Sequence, residues 1–539
     1  MKTGPSLGLW VALVLYGALA FGTVRAVGVV GEVDIGWALA LPPRVLVQWS
    51  PPVESEAGGA WGVLEARQTR PLESVVLGSA RIPLAINAYT GGAPDWPARL
   101  ARAVTEERGA GVAVHVLLGG LLLALAHRFL RFHGTASAAG GAALLLASDW
   151  VFVFFKKVLG GTEILLQTAG LLVLWSLWSR RWKGGRHGTV ALALGVGLGL
   201  GAKLTFIVTL AAFGIAAMLT RWDRPNMRPP ERVRPGLLVA LPILCLAPLL
   251  VSWVHHLAVG GIPAVISHDT LGLQLQRLTT GASMGREATV NLARFVGNPV
   301  AWLGDAWGTV ALDPVSGPRL ITLAVAAAGA LIEWRNRTQS PSAALLRFLS
   351  LAVPLQTGFL FLLNHDLHHL AQATVPFALL VALGADRVAG EVARPRSTLR
   401  AVVTTACLAP SIFAGVQQLR ETDGIVRTAR AHSFTADGQT ALAALLREHE
   451  VRRVVVTNYE LYGLLEQLVP EVEVVHGWGA VSRKDKDLEG LRALGQGGHY
   501  LTVRPTAPFI YDWHADGVGP RIGALGDGER TWAELFRVE

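Results

Sequence analysis

Residues 188–220 read "GTVALALGVGLGLGAKLTFIVTLAAFGIAAMLT", an apolar run with a single charge, Lys203, near its middle. One membrane-spanning helix needs about 20 apolar residues. The run is too long for one crossing and short for two, so its flanks decide. "SRRWKGGRHG" (179–188) precedes it and "RWDRPNMRPPERVRPG" (221–236) follows, and both are basic. Short basic loops stay in the cytoplasm. The two flanks therefore share one side, the run crosses twice, and Lys203 marks the far tip of a tight hairpin.

Other apolar runs extend the pattern. Spans are expected at 7–28, 110–126, 136–155, 162–178, 188–202, 204–220, 236–254, 318–334, 346–363, 367–385 and 399–417, about eleven helices. The short loops "HRFLRFH" (127–133), "EWRNRTQSPSAALLR" (333–347) and "DRVAGEVARPRSTLR" (386–400) are basic and fall on the cytoplasmic side. Loop 31–109, with more acidic than basic residues, and the near-neutral loop 255–317 fall outside. The first run, Leu7–Val24 after Lys2, reads as a signal anchor. A cleavable signal peptide with Ala18-Leu19-Ala20 at its end is the alternative.

Composition agrees. Of 539 residues, 51% are hydrophobic and 16% charged, against about 25% charged in soluble domains. The formal charge of +9 does not indicate nucleic acid, because the basic residues sit in short loops between apolar runs. Cys245 and Cys407 both lie in apolar runs, so no disulfide framework is expected. The expected architecture is a transmembrane domain over 1–417 and a small extracytoplasmic α/β domain over 418–539. In that tail "TALAALLREHE", "YELYGLLEQLV" and "KDLEGLRAL" read as helices, and "VRRVVVTN", "EVEVVHG" and "HYLTVRP" as strands. There is no internal repeat and no low-complexity linker.

This topology gathers polar groups at the outer face. Glu32 and Asp34, in "VGEVDIGW" (30–37), follow span one. Lys156 and Lys157 end span three, Lys203 tips the hairpin, His255 and His256 follow span seven, and "NHDLHH" (364–369) links spans nine and ten. Ionisable groups at membrane depth cost roughly 2.5–3.5 kcal/mol each on insertion scales and so are often functional. Each also has a plainer reading. The acids are solvated at a helix exit, the lysines snorkel to headgroups, and the histidines His365, His368 and His369 form an interfacial turn. Those histidines also suit a metal, though their spacing fits no strong template. Asp149, in "LLASDWVFVFF" (145–155), is either an internal hydrogen-bonded group or part of the site. Together the groups are more informative. A carboxylate can act as general base toward a hydroxyl, and nearby cations can hold a phosphate. The set suits a lipid-phosphate-linked donor and a hydroxyl or amine acceptor.

Several segments carry a family likeness. "VVLGSARIPLAINAYTGGAPDWPARL" (75–100) resembles the first outer loop of bacterial family-39-like glycosyltransferases, the dolichyl-phosphate-mannose protein mannosyltransferase type. "ASDWVFVFFKKVLGGTEILLQTAGLLVLWSLW" (147–178) resembles their third and fourth spans. "LGVGLGLGAKLTFIVTLAA" (194–212) is similar to their Gly-rich short span ending in Lys, and "HHLAQATVPFALLVALGADRV" (368–388) to a late span with a Pro-Phe element. The likeness covers roughly residues 1–420 as an ordered set of motifs. It implies the GT-C fold, a site in the outer loops, and a polyprenyl-phosphate sugar donor in a bacterial inner membrane. The acceptor is a glycan, lipid or protein, and membrane lipid is the surrounding partner. The family's carboxylate after span one matches Asp34, with Glu32 as the nearby alternative. The donor's phosphate then falls to Lys203, Lys156 and Lys157, with His365, His368 and His369 beside them. No cofactor follows from these residues, and a divalent metal stays open. Two other readings compete: a transporter or flippase, which would show mid-span ion pairs and inverted repeats, and a non-catalytic glycolipid-binding protein.

Overall fold

The computed structural model describes residues 7–22, 109–158, 161–182, 186–202, 205–220, 286–301, 316–363, 370–393, 397–428, 436–456, 471–476, 495–503, 518–526 and 531–539, with short strands and isolated positions elsewhere. The helices in chain order are α1 (Leu7–Gly22), α2 (Gly109–His133), α3 (Ala136–Ser148), α4 (Trp150–Val158), α5 (Gly161–Trp182), α6 (Arg186–Ala202), α7 (Phe206–Leu219), α8 (Arg286–Val296), α9 (Gly317–Asn336), α10 (Pro341–Leu363), α11 (Thr374–Val392), α12 (Ser397–Thr428) and α13 (Ala436–Glu448). A 3-10 turn, Ala371–Ala373, leads into α11. In loop 31–109, β1 (Gln48–Trp49), β2 (Glu73–Leu77) and β3 (Ala80–Ile82) pair antiparallel in sequence order.

Among the described residues, five helical stretches are long and apolar enough to cross a membrane: 113–133, 317–336, 341–361, 371–392 and 398–422. Five shorter apolar helices, 7–20, 136–148, 163–179, 188–202 and 206–219, fall at five of the other six expected spans. The run 188–220 is indeed two helices, α6 and α7. The expected span 236–254 lies mostly outside the described residues. Span three departs from the expectation of one helix. Asp149 adopts extended backbone (φ −70°, ψ 125°) and splits it into α3 and α4.

At the centre is α3, "ASAAGGAALLLAS", which packs against α1, α2, α11 and α12. Between lipid-bathed helices there is no hydrophobic drive to associate, so small residues that let backbones approach supply the packing. A Cβ on Gly415 of α12 would collide with the Ser148 carbonyl of α3. A Cβ on Gly329 of α9 would collide with the Gly384 carbonyl of α11, and one on Gly384 with the Ala326 carbonyl. By contrast, α9 and α12 turn Leu320, Ile321, Leu331, Val402 and Phe413 outward. Such faces would cost about 25 cal/mol per Å² in water and suit lipid.

Buried ion pairs tie together the ends that carry the basic loops. Asp386 on α11 accepts from Arg400 of α12 (Nε, 2.9 Å), from Thr135 (2.9 Å) and from Ser137 at the α2–α3 junction. Glu333 of α9 accepts from Arg347 of α10 (2.6 Å), Arg387 of α11 (2.9 Å) and the Thr338 hydroxyl (2.6 Å). The loops grouped by charge in the sequence, 127–133, 333–347 and 386–400, thus meet at one end of the bundle.

Beyond the bundle, α13 precedes a five-stranded sheet of β4 (Arg453–Val456), β5 (Glu473–His476), β6 (His499–Val503), β7 (Arg521–Gly526) and β8 (Thr531–Arg537), in the order β5-β4-β6-β8-β7. β5, β4 and β6 are parallel, with Val455 opposite both Val475 and Tyr500. β8 runs antiparallel beside β6, placing Leu535 opposite Leu501, and β7 pairs antiparallel with β8. Its core of Leu442, Leu446, Val454, Val456, Leu501 and Leu535 is separate from that of the bundle. β7 and β8 were not expected from the sequence. The last span also exceeds expectation, since α12 runs on through the expected 417/418 boundary to Thr428.

Candidate functional site

Of the eight site residues expected from the sequence, two, Lys156 and Lys157, lie on a described helix. Asp34, Glu32, Lys203, His365, His368 and His369 lie outside the described residues. Lys156 and Lys157 lie on the last turns of α4, and their side chains are likewise not among those described.

Their anchors are well defined. Helix α1, which precedes Glu32 and Asp34 in the chain, packs beside α4 through the Tyr16 and Phe152 rings (centroids 5.8 Å, edge to face). Tyr16 also donates its hydroxyl to the Val116 carbonyl of α2 (3.0 Å). The start of α7, just after Lys203, is tied to the 3-10 turn, because the Thr209 hydroxyl donates to Gln372 Oε1 (3.2 Å). Gln356 of α10 donates to Thr209 (2.8 Å), and Gln167 of α5 donates to the Ala371 carbonyl (2.7 Å). That turn follows the "NHDLHH" link directly. All these side chains are buried. A buried amide or hydroxyl left unbonded costs about 1–3 kcal/mol, so the network fixes where α5, α7, α10 and the entry to α11 meet.

A second polar centre sits at the break in span three. Asp149 Oδ1 accepts the Phe152 backbone N–H (2.9 Å), capping α4, and Oδ2 accepts from Arg319 Nη2 (3.3 Å). Arg319 also donates to the Val296 carbonyl through Nε (3.2 Å) and to Gln418 through Nη1 (3.4 Å). Gln418 donates to Asn298 (2.9 Å). The side chains of Arg319 and Asp149 are 7% and 16% exposed, so this is an ion pair largely withdrawn from solvent. The two readings open for Asp149 are thereby narrowed. It is hydrogen-bonded and internal, and it lies at the end of the bundle away from the basic loops. A small cavity of about 30 Å³ adjoins the pair, lined by Asp149, Arg319, Thr374 and Ser411 above apolar Leu145 and Phe377. The buried Thr374 hydroxyl has no protein partner among the described residues.

Two charged residues of this end were missed in the sequence. Arg319 follows Pro318 in the first turn of α9, and a lone cation opening an apolar span was its signal. Glu163 stands buried in the first turn of α5, the one acid in "GGTEILLQTAG". Among the described residues no group of three His, Cys, Asp or Glu side chains is placed to hold a metal.

No protein-family model matches the sequence, and no curated protein matches it. Solved structures match by fold. The chain is similar to ArnT from Cupriavidus metallidurans in the apo state, with a TM-score of 0.57 at 12% identity over 98% of this chain and 97% of that one. It is similar to the same protein bound to undecaprenyl phosphate, with a TM-score of 0.54 at 13% identity over 98% of both chains. The Archaeoglobus fulgidus oligosaccharyltransferase tethered with an acceptor peptide gives a TM-score of 0.50 at 11% identity, over 92% of this chain and 68% of that one. At such identities likeness shows fold, and the fold is the one the sequence resemblance implied: a polytopic α-helical membrane protein of GT-C type with a C-terminal domain.

Proposed function

We propose that this protein is a membrane glycosyltransferase, family-39-like in its outer-loop motifs, that moves a sugar from a polyprenyl-phosphate-linked donor to an acceptor at the outer face. The observation that carries the reading is the full-length fold likeness to ArnT, one of whose structures holds undecaprenyl phosphate. It is supported by the packing of α1 beside α4, the helix that carries Lys156, and by the ties of α5 and α7 to the turn that follows "NHDLHH".

In this reading Asp34, or Glu32 beside it, takes the proton of an acceptor hydroxyl or amine. The acceptor atom bonds to the sugar's anomeric carbon as the carbon–phosphate-oxygen bond breaks. The polyprenyl phosphate leaves with the electron pair, and Lys203 with Lys156 or Lys157 steadies its charge. His365, His368 and His369 lie beside the donor. General-base action contributes typically 10²–10⁴-fold. The division follows: a bacterial inner-membrane domain over 1–417 and an extracytoplasmic domain over 418–539 that meets the acceptor or covers the site.

The test is sugar transfer from a radiolabelled polyprenyl-phosphate sugar in membranes, comparing wild type with Asp34→Asn at matched expression. The expected result is loss of transfer by about 10² or more in the variant. Equal transfer in both removes Asp34 from the chemistry and turns attention to Glu32. No transfer by wild type with any donor favours a protein that binds glycolipid without catalysis.

A further inference from the structure

A break inside a membrane span must satisfy the backbone groups it frees and must hold its angle. Both tasks fall to Asp149. Its own N–H reaches back to the Leu146 carbonyl (3.3 Å), its carbonyl accepts Val153 N–H (2.9 Å), and Oδ1 caps Phe152 N–H. The remaining oxygen, Oδ2, has Arg319 as its partner. Arg319 does not serve Asp149 alone. It holds the C-terminal carbonyl of α8 and Gln418 of α12, and Gln418 holds Asn298. The segment 286–301 of the long outer loop is packed down at the same place, with Phe295 and Val300 buried and the Phe295 and Phe377 rings 5.8 Å apart. One guanidinium therefore joins four elements: the broken third span, the outer loop, α9 and the last span.

We infer that Arg319 is a positioning residue of the candidate site: by holding Asp149 it sets the angle of α4 against the outer loop, and with it the place of Lys156 and Lys157. The lever is short and steep. These lysines lie about 10–12 Å along the helix from the break, so a tilt of about 10° there moves them about 2 Å. Misplacement of about 1 Å can cost 10²-fold in a reaction that depends on orientation. The inference rests on the proposed role of the two lysines toward the donor's phosphate, but the geometry of α4 can be read without it.

The experiment uses the full chain in nanodiscs, with Cys245→Ser and Cys407→Ser, and Val158→Cys on the last turn of α4 as a reporter. Arg319→Gln is compared with the parent for maleimide labelling at position 158, and for donor KM and kcat in the parent without the reporter. The expected result is a labelling rate changed about fivefold or more and a kcat lowered about tenfold or more, with the donor KM moving less. Arg319→Lys, which keeps the charge but not the fork, should fall between. Asp149→Asn, which keeps the α4 cap but not the ion pair, should shift labelling in the same direction, and it replaces Arg319→Gln if that variant does not fold. A lowered melting temperature with labelling and kcat unchanged would overturn the inference, leaving Arg319 a stabilising residue only. If wild type transfers no sugar, the functional reading fails and the labelling comparison alone decides the positioning role.

Discussion

Glu333 shows what a single residue has to satisfy in this protein. It is 1% exposed, yet it meets two guanidiniums, Arg347 and Arg387, and the Thr338 hydroxyl and N–H. Its charge at the end of α9 is tolerable only because each oxygen is bonded. Glu333→Gln should therefore lower stability by about 3–5 kcal/mol, since it strands Arg347, itself 1% exposed. Thermal unfolding in detergent is the measurement. The paired change Glu333→Gln with Arg347→Met should be milder, because it removes the stranded charge as well. The sequence offered only a basic loop at "EWRNRTQSPSAALLR" and read it as a compartment signal. That the acid inside the loop organises its cations depends on α11 delivering Arg387 from elsewhere in the chain. Asp149 is similar. Its identity was visible, but its partner Arg319 lies 170 positions away.

At the scale of elements, the small residues decide which helices touch. Gly384 of α11 faces Ala326 of α9 so closely that no side chain fits. Gly384→Leu should destabilise the protein by about 1–3 kcal/mol or more through overpacking. Gly358→Leu on α10 has open space around it and should stay within about 0.5 kcal/mol. Melting temperature and size-exclusion profile of the two variants check the contrast, and equal behaviour would mean that α9 and α11 do not pack as described. Hydropathy located nearly every helix, because the apolar length needed to cross a bilayer is a local property. It did not locate the break in span three. "ASDWVFVFF" is apolar enough to continue as a helix, and the extended backbone at Asp149 is held by an ion pair to α9. The strands β7 and β8 were missed for a related reason. "RIGALG" has little strand propensity, and β8 belongs in the sheet only because β6 presents an open edge to it.

At the scale of the whole molecule, the C-terminal sheet has its own titration. Burial pushes the His499 imidazole below its ordinary value of 6.5. A hydrogen bond with the Arg453 backbone opposes that shift, and the neighbouring charges Arg537 and His449 add to it. The unfolded chain then binds the proton at a higher pH than the folded sheet does. Stability is full above the ordinary histidine value and falls as pH drops below about 6.5 toward the lower folded value. Hydrogen exchange at the β6 amides should accelerate over that window in wild type and change less in His499→Gln. A flat profile in wild type would remove His499 from the balance.

What the sequence determined by itself follows from local physics. Runs of apolar residues must lie in lipid, basic loops must sort to one side, and small residues must line helix contacts. The positions of the described spans and the grouping of the basic loops were legible for that reason, and the GT-C fold was legible in the order of the motifs. What only the tertiary structure decided is which distant polar groups complete one another: Asp149 with Arg319, Glu333 with Arg347 and Arg387, Gln167 and Thr209 with the turn before α11. A charge or amide withdrawn from water needs a partner within about 3 Å, and partners at that distance are set by how helices pack, not by their order along the chain.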